Sequence, residues 1–267
     1  MPETPRPFAH CPDSLLAGVA GVLTDIDDTL THEGAIEPEA LDALAALHAA
    51  GIPVIAVTGR PMGWSEPFAQ AWPIAAIVAE NGAVALFAQG KVLHVEYAQD
   101  DATRSHHAKR LTEVAQRVVR EVPGATLSRD SAGRVTDIAV DHSEFAHLDE
   151  AAVARVVALM KSEGMNATVS SIHVNGWFGE HDKWSGARWI VRRLLDRDVA
   201  AERDRWIYVG DSTNDQLMFE HFPLSVGVAN LMRFAAQLHT WPAWITREER
   251  GRGFAEVATR LLAARGR

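Results

Sequence analysis

The sequence predicts an α/β fold: a doubly wound parallel sheet interrupted by a separate α+β module. Three observations carry this. Short apolar runs recur, each stopped abruptly by polar residues, as strands buried on both faces read. Segments of helical periodicity separate the first three runs, and strand, helix, strand, helix, strand points to crossovers and a parallel sheet. Between residues 84 and 182 the pattern changes to hairpins mixed with helices, and from Lys183 the earlier punctuation returns. The predicted order is therefore a Pro-rich leader over 1–17, core over 18–83, insert over 84–182 and core again over 183–263.

The first apolar run, 19–24, ends at Asp25. Pro38 then falls in the first turn of a helical pattern carried by Leu41, Leu44 and Leu47 and stopped by Gly51. Runs 52–57 and 74–79 follow, the first broken by Thr58-Gly59-Arg60. In the insert, 84–87 and 91–95 flank Gln89-Gly90 as a hairpin, and 101–121 is helical up to Pro123-Gly124. Residues 125–129 and 134–140 read as strands, 149–163 as a helix with Asp149 at its cap, and 166–174 and 176–179 as two further strands. The core resumes with a helix over 184–195, a strand over 206–209 ending in Gly210-Asp211, a helix over 217–221 and a strand over 224–228. Segments 244–246 and 254–262 close the chain.

With 47% hydrophobic and 23% charged residues, the composition excludes wholesale disorder, collagen-like repeats and coiled coils. The 35 acidic and 26 basic residues leave a formal net charge of −9, which argues against a nucleic-acid partner. The same excess leaves room for carboxylates that hold a cation. A lone cysteine, Cys11, permits neither an intrachain disulfide nor a thiolate cluster. Without an apolar stretch of about 18 residues or a signal-peptide pattern, the chain reads as a soluble cytoplasmic protein with a small-molecule partner and no membrane partner.

Four polar clusters sit just after apolar runs or at a helix start, where an open parallel sheet gathers its ligands. Asp25-Ile26-Asp27-Asp28-Thr29 stacks three carboxylates, which repel one another unless a cation or a shared proton offsets them; an acidic turn is the structural alternative. Thr58-Gly59-Arg60 offers a hydroxyl, a permissive backbone and a cation suited to a phosphate oxygen, or an ordinary turn. Lys183, at a helix start, runs against the helix dipole, so it is either solvated or reaching for an anion. Gly210-Asp211-Ser212-Thr213-Asn214-Asp215 supplies oxygen ligands fit for a hard cation such as magnesium, or a helix cap.

In this order the clusters resemble the motifs of the haloacid dehalogenase superfamily, spanning Asp25 to Asp215. The insert resembles the large α/β cap of its sugar-phosphate phosphatase branch. The segments 78–83 and 225–230 resemble that branch too, which includes sucrose-phosphate and mannosyl-phosphoglycerate phosphatases. The resemblance implies a Rossmann-like core and a Mg2+-dependent phosphatase acting on a sugar phosphate or similar metabolite through an aspartyl-phosphate. Asp25 would be the nucleophile, and Asp27 the general acid and then base, its proton held by neighbouring carboxylates. Asp25, the backbone carbonyl of Asp27 and Asp211 would hold the metal, with Asp215 and Asn214 completing or orienting the shell. Thr58, Gly59, Arg60, Lys183 and Asn214 would hold the phosphate. A second aspartate at position 27 separates phosphatases and phosphomutases from the superfamily's dehalogenases and ion pumps. A phosphomutase and a non-catalytic sugar-phosphate binder are the alternatives.

Substrate contacts are expected from Asn81 on the hinge segment and from His173, Asn175 and Trp177, which share one strand face by the two-residue period. Trp184 departs from the glycine usual after the motif lysine, and is expected to narrow the pocket or pack under the cap. The cap cations Arg129, Arg134 and Lys109 read as surface charge.

Overall fold

A computed structural model describes residues 5–266, so the first four residues of the expected leader lie outside it. The chain runs through β1 (Arg6–Pro7), α1 (Asp13–Ala17), β2 (Gly21–Thr24), the small hairpin β3 (Thr31–His32) and β4 (Ala35–Ile36), α2 (Pro38–Ala49), β5 (Val54–Val57), α3 (Met62–Ala71) and β6 (Ala76–Ala79). It continues with β7 (Val84–Gln89), β8 (Val92–Tyr97), α4 (Asp101–Glu121), β9 (Thr126–Leu127), β10 (Asp137–Asp141), α5 (Glu150–Ser162), β11 (Asn166–Val169) and β12 (His173–Trp177). The last stretch holds α6 (Lys183–Leu195), β13 (Trp206–Gly210), α7 (Gln216–His221), β14 (Leu224–Gly227), β15 (Trp244–Ile245) and α8 (Arg250–Arg265).

The large sheet has the order β1-β15-β14-β13-β2-β5-β6-β7-β8. Every pair from β1 to β6 is parallel, while β6, β7 and β8 pair antiparallel. The central strands are buried along their whole length, which is why their sequences are continuous apolar runs without alternation. On one face Leu16 of α1, Leu44 and Leu47 of α2 and Phe254 and Leu261 of α8 pack in a single apolar cluster. On the other face Ile190 and Val191 of α6 and Met218 and Phe219 of α7 pack against Leu23, Ile55 and Tyr208. A smaller antiparallel sheet, β11-β12-β10-β9, carries α4 and α5 on one side through Val114, Val118, Val156 and Met160. The predicted α/β core with an α+β insert is thus present.

Four details differ from the sequence reading. The segment 5–17 is built into the core, with β1 at the sheet edge against β15 and Leu16 fully buried. The hairpin 84–97 extends the large sheet instead of opening the insert, because β7 pairs with β6 and is buried over its first four residues. The strand expected from 134 starts at Asp137, since the Val135 and Thr136 N–H groups donate to the Glu80 carboxylate and are lost to the ladder. The turn expected near residue 175 lies at 170–172, where Ser170 Oγ accepts the N–H of His173 at 3.0 Å. Gly176 sits mid-strand for a packing reason: a Cβ there would meet Met160 Sδ of α5 at 2.7 Å.

The two chain crossings between core and insert touch backbone to backbone. Gly82 has φ +108°, and a Cβ on it would lie 2.0 Å from the Asp182 carbonyl oxygen, so only glycine fits. A Cβ on Gly186 of α6 would meet the Gly82 Cα at 2.5 Å. Beside this crossing, buried Glu80 reaches into the insert to accept the Val135 and Thr136 N–H groups and the Thr136 hydroxyl.

Burial, and then the Asp137 charge, push the Glu80 carboxyl up to about 7 from its ordinary 4.5. A folded-state value above the unfolded one means stability that is present below the unfolded value and lost as pH rises through the folded one. Unfolding free energy should therefore fall between about pH 4.5 and pH 7, by on the order of 3 kcal/mol from this residue. Urea titrations across that window check it: the Glu80→Gln variant should show a flatter pH dependence than the parent by that amount.

Candidate active site

Three strands at the centre of the large sheet, β5, β2 and β13, end side by side and deliver Thr58, Asp25 and Asp211 to one edge. Lys183, the first residue of α6, enters the same place, buried to 3% exposure. Its Nζ donates to Asp25 Oδ1 at 2.9 Å and to Asp215 Oδ1 at 2.7 Å. The helix start that carries this buried cation is secured separately: Asp182 accepts the Ser185 N–H, and Ser185 Oγ accepts the Asp182 N–H.

One carboxylate oxygen each from Asp25, Asp211 and Asp215 lies within 4.8 Å of the others, all three residues buried. Against three carboxylates the cluster holds a single ammonium. Burial, helped by Asp215 and Asp27 and opposed by Lys183, pushes the Asp25 carboxyl up to about 7. Burial and then the Asp215 and Asp25 charges hold the Asp211 carboxyl well above its usual range. Burial alone would lower Lys183, but Asp215 and Asp25 outweigh it and hold its ammonium above the ordinary value. The cluster is short of positive charge by the amount a divalent cation supplies, and its all-oxygen donors suit a hard one.

The donors are not equivalent. Asp215 Oδ1 accepts from Lys183 and the Tyr208 hydroxyl, and Oδ2 accepts the Asp211 and Ser212 N–H groups at 2.9 and 3.1 Å. Four donors fill its lone pairs, so Asp215 fixes the lysine and the Asp211 loop, leaving Asp25 and Asp211 with the available oxygens. Asp211 is touched only loosely, by the Thr29 hydroxyl and Asn230 Nδ2, each at 3.4 Å. Asn214 accepts a hydrogen bond from Ser212 Oγ and, among the described residues, makes none to Asp25, Asp211 or Lys183.

The Thr58 hydroxyl accepts the Arg60 N–H at 3.1 Å, which leaves its own proton for an anion. Gly59 meets the insert: its carbonyl accepts from Arg134 at 2.9 Å and Asn175 at 3.2 Å. Arg60, expected at the phosphate, is committed elsewhere. Its buried guanidinium donates to both Asp27 oxygens at 2.9 and 3.0 Å, to Asp130 at 3.2 Å and to Glu144 at 2.8 Å. Asp27 does neighbour Asp25, whose carboxyl its charge helps raise, but its hydrogen-bonded side-chain partner is the Arg60 cation.

The expected insert contacts divide. His173 Nε2 pairs with Glu144 at 2.9 Å, and Asn175 and Asn81 both donate to Asp137. Asn81 and, through the Gly59 carbonyl, Asn175 join insert to core, whereas the His173 pair lies within the insert. Trp177 turns away and donates to the His181 carbonyl. Trp184 neither narrows a pocket nor packs under the insert: its ring stacks on His221 at 4.3 Å and meets Phe222 edge-on, between α6 and α7. Arg134, read as surface charge, is buried in ion pairs with Asp130 and Asp137. Sequence reasoning missed Tyr208, Asn230, Glu144 and the pair of Arg250 with Asp28 at 2.9 Å, both in left-handed backbone (φ 51° and 54°). A cleft of about 530 Å³ opens at Asp27 between the β3–β4 hairpin and insert residues Ser143, Glu144, Phe145 and Ile172.

Comparisons with known proteins bear on the fold. A family profile described as haloacid dehalogenase-like hydrolase covers residues 22–117. No curated protein matches by sequence. A Thermoplasma acidophilum structure superposes with TM-score 0.69 at 14% identity, covering 91% of this chain and 98% of its own. The Candida albicans trehalose-6-phosphate phosphatase C-terminal domain gives 0.67 at 15% identity, covering 99% of each chain. The Synechocystis sucrose-phosphatase, solved with sucrose and phosphate, gives 0.64 at 14% identity, covering 91% and 98%. At these identities the structures share the fold.

Gly210 lets the Asp215 carboxylate lie against β13: a Cβ there would meet Asp215 Oδ2 at 2.5 Å and Cγ at 2.6 Å. Gly210→Ala should cost roughly 1–3 kcal/mol of stability by overpacking. Tyr208→Phe, which removes one hydrogen bond, should cost about 1 kcal/mol. Urea unfolding of the two variants ranks them.

Proposed function

The chain belongs to the haloacid dehalogenase-like hydrolases, and from that premise we propose a magnesium-dependent phosphomonoesterase acting on a small phosphorylated metabolite of the sugar-phosphate class. The observation that carries the reading is the buried carboxylate trio with one lysine among it, at the carboxyl edge of the sheet.

Asp25 is the nucleophile. Lys183 holds its Oδ1 and fixes the carboxylate, whose attack on phosphorus forms an aspartyl-phosphate as the ester oxygen leaves. The leaving alkoxide takes a proton from Asp27, and the returning carboxylate then draws a proton from the water that cleaves the aspartyl-phosphate, releasing inorganic phosphate. Proton donation by Asp27 requires its pair with Arg60 to loosen, which ties the chemistry to movement of the insert residues on the same guanidinium. The Thr58 hydroxyl and Lys183 steady the transferring oxygens. Asp25 and Asp211 would hold the magnesium, and when bound it offsets the repulsion between two anionic reactants. Closure of the insert keeps bulk water from the acyl phosphate.

The sugar-phosphate class rests on the cleft beyond Asp27. Phe145, 54% exposed with the Arg129 guanidinium 3.7 Å from its ring, gives an aromatic wall for a sugar beside the polar groups of Ser143 and Glu144. The sucrose-phosphatase and trehalose-6-phosphate phosphatase folds are consistent with it.

Asp25→Asn should lower phosphate release by at least 10³-fold while the fold, read by circular dichroism, is unchanged; comparable turnover in the variant would remove Asp25 as nucleophile. Asp211→Ala should raise the magnesium needed for half-maximal rate by tenfold or more, and an unchanged titration would count against its ligand role.

A further inference from the structure

Resting on the magnesium site of the phosphatase reading, we infer that Thr213 is a positioning residue that ties the metal-holding loop 211–215 to the insert, so that docking of the insert and binding of magnesium strengthen each other. The argument begins with how that loop is held. From within, the Asp215 carboxylate accepts the Asp211 and Ser212 N–H groups, and Ser212 Oγ donates to Asn214 Oδ1 at 2.9 Å. Toward the core, Gln216 Nε2 donates to the Thr213 carbonyl at 3.1 Å, while its Oε1 accepts the His239 and Thr240 N–H groups at 2.6 and 3.0 Å. Toward the insert the loop has a single hydrogen bond among the described residues, from Thr213 Oγ1 to the Val169 carbonyl at 2.6 Å. Val169 ends β11, an edge strand of the insert sheet.

Both ends of this bond are held in place by other groups. Next to Val169, Ser170 donates its N–H to the His173 carbonyl at 2.9 Å, and its hydroxyl accepts the His173 N–H at 3.0 Å. The Ser170 carbonyl lies 3.0 Å from His142 Nε2. Thr213 is β-branched, with few rotamers open to it, and begins a single helical turn over Thr213–Asp215. What the bond positions is Asp211. The Asp211 carboxylate has only the two long contacts to Thr29 and Asn230, so its aim is set by the loop backbone more than by side-chain partners. Strands β5 and β13 flank β2, which carries Asp25. The insert grips the loop after β5 through Arg134 and Asn175 on the Gly59 carbonyl, and the loop after β13 through Thr213. An insert held at Thr213 keeps Asp211 placed for the cation, and a cation that holds Asp211 keeps Thr213 placed for the insert. Such a coupling is reciprocal. Its size is bounded by the contact that carries it, and one neutral hydrogen bond is worth roughly three- to tenfold in an equilibrium constant.

The test uses the full chain and magnesium chloride, without substrate. In the parent, magnesium should slow amide hydrogen exchange over residues 166–169, read by mass spectrometry, by roughly three- to tenfold. Thr213→Val keeps the shape and removes the hydroxyl. It should abolish that slowing and raise the magnesium Kd from titration calorimetry by roughly three- to tenfold. Thr213→Ser restores a hydroxyl and should recover most of both effects. A contact that served stability alone would move neither the Kd nor the metal dependence of exchange. Exchange over 166–169 that is indifferent to magnesium in the parent overturns the inference, and so does a Thr213→Val Kd equal to the parent's. The parent measurement decides the matter if Thr213→Val does not fold. The two readings fail separately. Turnover of p-nitrophenyl phosphate with no magnesium effect on β11 keeps the phosphatase and removes the coupling. Magnesium-linked protection of β11 with no phosphate release from any ester keeps the coupling and removes the phosphatase.

Discussion

The contact on which the site depends is the buried ammonium of Lys183 between Asp25 and Asp215. Three carboxylates drawn out of water at the end of a sheet are costly, and removing one member of a buried charge set leaves the others uncompensated. Lys183 also sits at the N-terminus of α6, where the helix dipole disfavours a cation. Both costs are met locally. The reciprocal cap between Asp182 and Ser185 satisfies the helix start, and Asp215 arrives with all four acceptor sites filled. What is left over is negative charge on Asp25 and Asp211, aimed at the same space.

The insert reaches this space through polar groups. Arg134 and Asn175 bind the Gly59 carbonyl, Glu80 binds the 135–136 backbone, and Arg60 joins core Asp27 to insert Asp130 and Glu144. A polar seam of this sort can part and re-form, where an apolar one of equal area would hold fast. The glycine-on-backbone crossing at Gly82 and Gly186 gives it a narrow pivot. The guanidinium that grips Asp27 is the one gripped by the insert, so in the proposed mechanism the proton-transfer group would sense whether the insert is in place. No helix among the described residues is long and apolar enough to cross a membrane.

The catalytic edge was legible in the sequence because each of its members follows an apolar run or opens a helix. Asp25, Thr58, Asp211 and Lys183 are named by local grammar, and the sheet order brings them together. Asp130 and Glu144 were not, since their meaning lies in a guanidinium 70 and 84 positions away, and nothing in their neighbourhood marks it. Tyr208 hid inside a strand where any large apolar residue would fit, its one distinguishing atom being a hydroxyl on Asp215. Trp184 misled because it was read through a motif expectation, whereas it is set by what packs beside it, a histidine ring. Asn230 offered a signal, lying just past a strand end like the other site residues, and its amide joins Asp28, Asp211 and Arg250.

The net charge of −9 resolves in part into two structural uses of carboxylate. At the carboxyl edge of the sheet, Asp25, Asp211 and Asp215 face one lysine and leave a deficit suited to a divalent cation. Beside it, Asp27 and Asp28 pair with Arg60 and Arg250, and Asp130 and Glu144 of the insert share the Arg60 guanidinium. The first group gathers around one buried ammonium and the second around a guanidinium that joins core and insert, so the same excess of carboxylate serves both the site and the seam beside it.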